Sequence, residues 1–364
     1  MNLLKPYSSN HLNLKNKVVM APLTRSRSGK TRVPNEMNNI YYTQRSSAGL
    51  IISEATVISE RAVGYIDTPG IYNDEQINGW KRITKSIKRY GGKIYCQLWH
   101  TGRSSHPDFH NGKAPLAPSS IKPSGKVTTY DGMKEKEMPS EMTHQEINTT
   151  IDEFKNAAKN AITAGFDGVE IHGANGYLID QFLCDGSNIR TDNYGGNLQN
   201  RLRFPLEVVK AVGEEIGFDK TAIRISPSGT FNDMFDSDPK ATFGAFVKEL
   251  NQFDLSYLHI SRFFDPRGDL NLPDHYLNNS EMLEYFRNIY KGTIIACNSF
   301  DKESGEATLN NGEADLIAYG KLFISNPDLV LRFEKDAELL EWDNSTFYGG
   351  AEKGYIDYPF LLKE

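Results

Sequence analysis

The chain has 364 residues, of which 38% are hydrophobic and 24% charged, and its formal net charge is −6. This composition is typical of a globular protein with a sizeable core. The negative charge, without any lysine- or arginine-rich run, argues against a surface for nucleic acid or anionic lipid. The first residues lack the apolar core of a signal peptide, and no apolar run reaches membrane-spanning length. We therefore expect a protein of the cytoplasm.

The three cysteines, Cys96, Cys184 and Cys297, are far apart in the sequence. They show neither the close spacing of a metal site nor the even number of a disulfide framework. We expect each to be a buried thiol that packs as a small apolar residue.

Strand-like and helix-like segments alternate along the chain. In chain order, the predicted strands are Lys17–Ala21, Leu50–Glu54, Lys93–Leu98, Gly168–Ile171, Thr221–Ser226, Ser256–Ile260, Thr293–Ala296 and Asp315–Tyr319. The predicted helices are Glu36–Ser47, Glu75–Tyr90, His144–Ala164, Leu198–Ile216, Pro239–Phe253, Ser280–Tyr290, Lys302–Asn310 and Asn326–Lys335. Thr143 with Glu146, and Asp238 with Pro239, are typical helix starts. This pattern predicts that residues 1–364 form a single α/β domain, a (β/α)8 TIM barrel.

One segment interrupts the alternation. Residues 100–142, between the third strand and the third helix, are rich in Pro, Gly, Ser and Lys. A connection of about forty residues in a compact domain is usually functional or carries a small fold of its own. We predict a small β-hairpin cap over the barrel mouth, with a mobile surface excursion as the alternative. The run DGMKEKEMP within it is expected to be a solvated face.

The segment GFDGVEIHGANGYLIDQFL, residues 165–183, places His172, Asn175 and Tyr177 on a glycine-rich loop after the fourth strand. Active sites of such barrels lie at the carboxyl ends of the strands. An imidazole and a carboxamide can hold an oxygen atom, and a phenol can deliver a proton. These residues alone would also be compatible with a structural role.

Small and basic residues follow the last two predicted strands. Asn298 follows strand seven, and Gly320 and Lys321 follow strand eight. Loops at these positions commonly bind a phosphate group. The chain has no glycine-rich dinucleotide fingerprint, so a mononucleotide is favoured. The alternative is that Lys321 is a solvated surface lysine.

Three further polar residues lie near strand ends. Arg224 is near the end of strand five, Gln97 near the end of strand three and Thr24 after strand one. A buried arginine needs an anionic partner. That partner is either Glu170 or Glu54, or a bound ring that becomes anionic when it is reduced. Gln97 and Thr24 offer hydrogen bonds to the edge of such a ring.

Several motifs in order carry a resemblance that spans nearly the whole chain. They are APLTRSR (21–27), QLWHTGR (97–103), the strand-four segment above, TDNYGGNLQNRLRFPLEVV (191–209), NPDLVLRF (326–333) and TFYGGAEKGYIDYP (346–359). With these motifs the sequence resembles the Old Yellow Enzyme family of flavin-dependent ene-reductases, close to the N-ethylmaleimide reductase branch.

The resemblance implies a TIM barrel that binds FMN without a covalent bond. The residues it assigns to FMN are Pro22, Leu23, Thr24, Ala55, Gln97, Arg224, Asn298, Gly320 and Lys321. Thr24 would contact the O4 edge of the ring, and Gln97 and Arg224 its pyrimidine side. Three features depart from the family pattern. The family usually has Gly at Asn298 and Arg at Lys321, and the donor pair here is His172 and Asn175 rather than two histidines, although both pairs are family variants. Lysine cannot form the two parallel hydrogen bonds of arginine, so the phosphate group of FMN would be bound less tightly.

The resemblance also implies NADPH or NADH as reductant and a small activated alkene as oxidant. His172 and Asn175 would hold the carbonyl or nitro oxygen of the substrate, and Tyr177 would donate the proton. Tyr65, Trp99 and Tyr348 would form the walls of the substrate pocket. The protein would be a monomer or a homodimer.

Three rival functions remain open from the residues. A dienoyl-coenzyme-A reductase would carry additional dinucleotide domains and a cysteine cluster, which the sequence lacks. A phosphate-binding aldolase or isomerase would need a Schiff-base lysine or a carboxylate base, for which Glu54 is the inward candidate. A flavin-binding protein without catalysis would have no need for Tyr177.

Overall fold

The structure is a computed structural model that describes residues 1–262, 276–279 and 281–361. Its central feature is a set of eight parallel strands. They are β1 (Val18–Met20), β2 (Leu50–Ile52), β3 (Ile94–Trp99), β4 (Gly168–Gly173), β5 (Thr221–Ile225), β6 (Tyr257–Ser261), β7 (Ile294–Cys297) and β8 (Leu316–Tyr319). Each strand pairs with the next one, and β8 pairs with β1, so the sheet closes into a barrel. The predicted TIM barrel is confirmed.

Eight helices follow the strands around the outside of the barrel. They are α1 (Glu36–Gln44), α2 (Asp74–Arg89), α3 (His144–Thr163), α4 (Leu198–Ile216), α5 (Pro239–Leu250), α6 (Met282–Ile289), α7 (Lys302–Asn310) and α8 (Leu329–Lys335). Thr143 and Glu146 form the predicted capping box of α3, and Asp238 caps α5. Ser280, the predicted start of the sixth helix, lies outside the described residues. No helix in the described part of the chain is long and apolar enough to cross a membrane.

The alternation of side chains along the strands divides the apolar interior into two cores. On β3, Tyr95 belongs to the core inside the barrel, whereas Cys96 and Leu98 belong to the layer between strands and helices. Leu12 and Leu14, next to the amino ends of the strands, join the inner core. The inward positions nearer the carboxyl ends are polar, so the candidate site lies there. All three cysteines are buried free thiols, as predicted.

The predicted hairpin is present in the insertion after β3. Lys126–Thr129 pairs with Gly132–Glu135 as an antiparallel hairpin. The expectation that DGMKEKEMP is entirely solvated is wrong for Lys136, which is only 6% exposed. Its Nζ donates a hydrogen bond of 2.8 Å to Oδ1 of Asn232, on the loop after β5. This contact fastens the cap to the rim of the barrel.

The C-terminal tail is held against the end of β1 by two buried arginines. Arg25 donates from Nη2 to the carbonyl of Gly354 at 2.7 Å, and Arg27 donates to the carbonyl of Thr346 at 2.9 Å. The rings of Tyr41 and Tyr355 stack with centroids 4.2 Å apart. The tail segment that carries Tyr348 is thereby kept beside the barrel mouth.

Candidate active site

His172 lies inside β4, one residue beyond the predicted end of that strand, rather than on the loop. Its ring is buried, and its Nδ1 has no hydrogen-bond partner among the described residues. Burial lowers the pKa of His172 well below its ordinary value, and electrostatic repulsion from Arg224 and His259 lowers it further. The imidazole is therefore neutral near pH 7 and can donate a hydrogen bond from one ring nitrogen.

Tyr177 is the residue immediately before a short helix, Leu178–Leu183. Its ring makes edge contacts with Trp99 and His172, with centroids 4.9 Å apart in both pairs. Its hydroxyl donates to the hydroxyl of Tyr65 at 3.3 Å. Burial raises the pKa of Tyr177 well above its ordinary value, and the neighbouring Tyr65 raises it further. The phenol is therefore protonated near neutral pH, as a proton donor must be.

The loop between His172 and Tyr177 has a left-handed backbone, with φ of 59° at Asn175 and 72° at Gly176. Four side chains satisfy all the backbone hydrogen-bonding groups of these two residues. Asn175 N–H donates to Ser226 Oγ, Asn232 Nδ2 donates to Asn175 O, Gly176 N–H donates to Asp180 Oδ2, and Gln181 Nε2 donates to Gly176 O. The backbone from which the Asn175 side chain projects is thus held in place by the surrounding side chains.

Asp180 is a buried carboxyl group that the sequence reasoning missed. Its Oδ2 accepts hydrogen bonds from Gly176 N–H at 2.8 Å and from Ser226 Oγ at 3.4 Å. Burial raises the pKa of Asp180 to about 7, although the bond from Gly176 acts in the opposite direction. Only its spacing within GYLIDQFL, three residues after Tyr177, could have drawn attention to it.

Inside the barrel, below His172 and Tyr177, the carboxylate of Glu170 connects side chains of β3 and β6. Glu170 accepts from Gln97 Nε2 at 2.7 Å and lies 2.8 Å from Nδ1 of His259. Glu170 and His259 are completely buried. Because the side-chain N–H of Gln97 donates to Glu170, the side-chain oxygen of Gln97 can accept a hydrogen bond from a ligand.

The alternative in which Arg224 forms an ion pair with Glu170 or Glu54 does not occur in the structure. Among the described residues, Arg224 Nη2 forms hydrogen bonds with Ser261 Oγ at 3.5 Å and Cys297 Sγ at 3.6 Å, and Nε has no partner. Glu54 instead accepts from the backbone N–H groups of Arg25 and Ser26, and burial raises the pKa of Glu54 to about 7. The buried guanidinium of Arg224 is therefore available to an anionic ligand.

Residues after β1 and β2 form the opposite rim of the mouth. Pro22, Leu23 and Thr24 are half-buried, and Ala55 is buried. A Cβ atom on Gly320 would lie 3.3 Å from Leu23 Cδ2, so a larger residue would crowd this rim.

The loop after β7 has two successive left-handed residues, Asn298 with φ of 77° and Ser299 with φ of 55°. Arg262, which the sequence reasoning missed, donates to the carbonyls of both residues at 2.8 and 2.9 Å. Lys321 is exposed, begins the short helix Lys321–Ser325 and lies over the ring of Trp342. Left-handed turns with positive charge nearby are suited to bind anions.

The predicted pocket walls differ in their exposure. The ring of Trp99 is buried and stacks on Tyr65 with centroids 5.2 Å apart. Tyr348 is 70% exposed, although it is close enough to influence the pKa of Tyr65 and Tyr177. It therefore lies at the outer edge of the mouth.

The residues at the mouth fit FMN. The Nε1 of Trp99, the Nδ1 of His172 and the Nε of Arg224 are buried polar atoms with no hydrogen-bond partner among the described residues. A buried cation suits a ring that becomes anionic on reduction, and the basic loops after β6 to β8 suit its phosphate.

Comparison with known proteins agrees with this arrangement. The model of the NADH:flavin oxidoreductase / NADH oxidase family matches residues 2–339. A putative 12-oxophytodienoate reductase 11 of Oryza sativa subsp. japonica is 45% identical, over 99% of this chain and 97% of the relative.

Two solved structures have the same fold. Morphinone reductase in complex with tetrahydroNAD is 43% identical with a TM-score of 0.92, over 100% of this chain and 98% of the other. The Old Yellow Enzyme homologue from Zymomonas mobilis is 39% identical with a TM-score of 0.94, over 99% of this chain and 100% of the other. The chain therefore belongs to the NADH:flavin oxidoreductase / NADH oxidase family, as an FMN-dependent NAD(P)H ene-reductase of the Old Yellow Enzyme type.

Proposed function

We propose that this protein reduces the activated C=C bond of α,β-unsaturated carbonyls, maleimides or nitro compounds, with NADPH or NADH as reductant and Tyr177 as proton donor. The observation that carries the proposal is the grouping of three side chains. The neutral imidazole of His172, the carboxamide of Asn175 and the protonated phenol of Tyr177 all lie at the carboxyl end of β4.

His172 and Asn175 donate hydrogen bonds to the carbonyl or nitro oxygen of the alkene. Negative charge grows on this oxygen as the β-carbon gains a hydride. Donors that are already fixed in place stabilise that charge without reorganisation. The four side chains that hold the backbone of Asn175 and Gly176 supply this rigidity.

Bound FMN, once reduced by the nicotinamide cofactor, supplies the hydride. Gln97 and Arg224 would hold the pyrimidine side of the ring, and Thr24 its O4 edge. Pro22, Leu23 and Ala55 would line the ring. The loops with Asn298, Gly320 and Lys321 would hold the phosphate.

Tyr177 then protonates the α-carbon. Its raised pKa keeps the proton on the phenol until the substrate accepts it. Trp99 and Tyr65 form the inner walls of the pocket, and Tyr348 forms its outer edge. We propose that the protein works in the cytoplasm as a monomer or a homodimer.

The direct experiment is reduction of 2-cyclohexenone in D2O with unlabelled NADPH or NADH. The proposal predicts deuterium at the α-carbon of the product, delivered through the exchangeable proton of Tyr177. NMR of the saturated ketone reads the position. Deuterium absent from the α-carbon, or an alkene that is not reduced, would reject the proposed reaction.

A further inference from the structure

Glu170 is a carboxyl group inside the barrel whose only ion-pair partner among the described residues is His259. Both side chains are fully buried, and Nδ1 of His259 lies 2.8 Å from Oε2 of Glu170. The other carboxylate oxygen, Oε1, accepts from Gln97 at 2.7 Å. A neutral amide offsets only part of the cost of burying a carboxylate. Of these two partners, the imidazole is the one that can supply a positive charge.

Three side chains on neighbouring positions of the strands add no negative charge to this pair. Arg224 lies opposite His259 in the register of β5 and β6. His172 on β4 is a neutral imidazole, since burial lowers its pKa well below the ordinary value. Burial raises the pKa of Tyr257, two residues before His259 on β6, well above its ordinary value, so this phenol stays neutral. The charges that act on His259 from these positions therefore come down to the repulsion by Arg224.

Glu170 outweighs the effects that oppose a proton on His259. Burial lowers the pKa of His259, and repulsion from Arg224 lowers it too. The neighbouring Glu170 and Cys297 raise it by more, so that the net shift is upwards. Nε2 of His259 has no hydrogen bond of ordinary geometry among the described residues, although the thiol of Cys297 is close enough to influence the pKa of the ring. The contact with Glu170 is thus the main reason for the ring to hold a proton.

Gln97 and Arg224 connect this pair to the proposed flavin site. Gln97 lies opposite Glu170 in the register of β3 and β4, and both Gln97 and Arg224 are assigned to the pyrimidine side of FMN. A hydride from NADPH or NADH brings two electrons and one proton, so the ring gains one negative charge. An ionised Glu170 would cancel the positive charge of Arg224 unless His259 is protonated. The proton on His259 therefore decides whether this side of the ring meets a net positive charge.

We propose that Glu170 and His259 form a buried ion pair that leaves one net positive charge at the pyrimidine side of bound FMN and so raises its reduction potential. Both are positioning residues, because they act through the amide of Gln97 and through their charges. A higher potential makes reduction of the ring by NADPH or NADH more favourable. This inference rests on the proposed FMN site, and it concerns the potential of the cofactor rather than the choice of alkene.

The first test detects the proton in the wild-type apoprotein. 15N NMR of histidine-labelled protein at pH 7 distinguishes an imidazolium, with two protonated ring nitrogens, from a neutral ring with one. We expect an imidazolium at His259 in the wild type. Glu170→Gln should make this ring neutral, because burial and Arg224 then act without the carboxylate. The signal is assigned by its loss in His259→Gln or, should that variant not fold, through the backbone resonances of β6. A neutral His259 ring in the wild type would overturn the inference.

The second test is the midpoint potential of bound FMN, measured by anaerobic reductive titration against a reference dye. His259→Gln keeps an N–H donor for Glu170 but carries no positive charge. It should lower the equilibrium constant for reduction of FMN about ten- to hundredfold, the order expected for a unit charge in a protein interior. For a two-electron couple this is about 30 to 60 mV.

Variants of Glu170 show whether the two residues act as an ion pair. Glu170→Gln should leave the potential near that of the wild type, because the negative charge of Glu170 and the proton of His259 are lost together. The double variant, Glu170→Gln with His259→Gln, should likewise return the lowered potential of His259→Gln to the wild-type value. A role of His259 in packing alone would not be reversed by a second substitution.

His144→Gln is the matched control, since His144 is an exposed histidine that also lies 2.8 Å from a carboxylate, that of Asp192. Its potential should equal that of the wild type. Cys297→Ala should keep the potential too, and a rise would identify a Cys297 thiolate as the anion beside His259, which overturns the inference.

The remaining outcomes separate this inference from the proposed cofactor site. A raised potential in Glu170→Gln with no change in His259→Gln would show that His259 is neutral, and the inference is overturned. An unchanged potential in His259→Gln would mean that Glu170 carries the proton itself or that the pair does not act on the ring, and either result overturns it. A wild-type protein that does not bind FMN would refute the proposed FMN site, and the inference falls with it.

Discussion

The hydroxyl of Tyr177 donates a hydrogen bond of 3.3 Å to the hydroxyl of Tyr65. Tyr177 is buried and Tyr65 is partly buried against Trp99, and burial raises the pKa of both. The hydrogen bond orients the Tyr177 hydroxyl, and the raised pKa keeps the proton on its oxygen. In the proposed reaction, transfer of this proton to a carbon atom requires the hydroxyl to exchange Tyr65 for the substrate.

Tyr177→Phe should slow alkene reduction by about 10²- to 10⁴-fold, the usual contribution of a general acid. Reduction of the bound flavin by NADPH or NADH should keep its rate, because that step needs no phenol. Stopped-flow measurement of the two half-reactions separates the effects. Tyr65→Phe keeps the proton donor and should cost less than about tenfold. Alkene reduction at the wild-type rate in Tyr177→Phe would contradict the assigned role.

Asn175→Gly should lower the rate of alkene reduction by about 10²-fold, because one donor to the developing negative charge is lost. Glycine adopts the left-handed φ of 59° without strain, so the loop should keep its conformation. Asn111→Gly is the matched control at an exposed position with φ of 53° in the insertion. Equal turnover in Asn175→Gly and the control would show that the carboxamide does not hold the substrate.

The sequence was sufficient to predict the barrel, because its apolar strands and amphipathic helices alternate regularly. The predicted fourth strand ended at Ile171, two residues too early, which put His172 on a loop instead of in β4. A polar residue normally marks the end of a buried strand, but the mouth of a barrel accepts polar side chains on its inward face. The residue types near the mouth were therefore easier to predict than their positions.

The contacts that organise the site could not be read from local patterns. Lys136 and Asn232 are 96 positions apart, and Asn175 and Ser226 are 51 positions apart. Nothing in the local sequence of Lys136 distinguishes it from solvated lysines of the same hairpin. Such pairs become visible only when the closure of the barrel brings β4, β5 and the cap together.

Lys321→Ala should raise the dissociation constant of FMN by about three- to tenfold, because an exposed charge contributes little more than about 1 kcal/mol. The absorption spectrum of the saturated protein should be unchanged, since the phosphate is remote from the ring. Lys335→Ala, at another exposed lysine, is the control. Titration of the apoprotein with FMN measures both. An equal dissociation constant in Lys321→Ala and the wild type would identify Lys321 as a solvated surface residue.

Asp180→Asn should remove part of the pH dependence of stability. The pKa of Asp180 is raised in the folded state from 3.8 to about 7. Its contribution to stability is therefore fully present below about pH 4 and is lost as the pH rises through about 7. Asparagine does not titrate, so the fall in Tm between these pH values should be shallower in the variant. Parallel curves of Tm against pH for the two proteins would rule out this titration.

We propose that FMN lies across the barrel mouth and passes electrons from a nicotinamide cofactor to an alkene. The most direct test is the absorption spectrum of the purified protein under anaerobic conditions. We predict a yellow protein that is bleached by NADPH or NADH and regains its colour when 2-cyclohexenone is added. A colourless protein that does not take up FMN supplied in excess would show that the barrel mouth does not bind this cofactor.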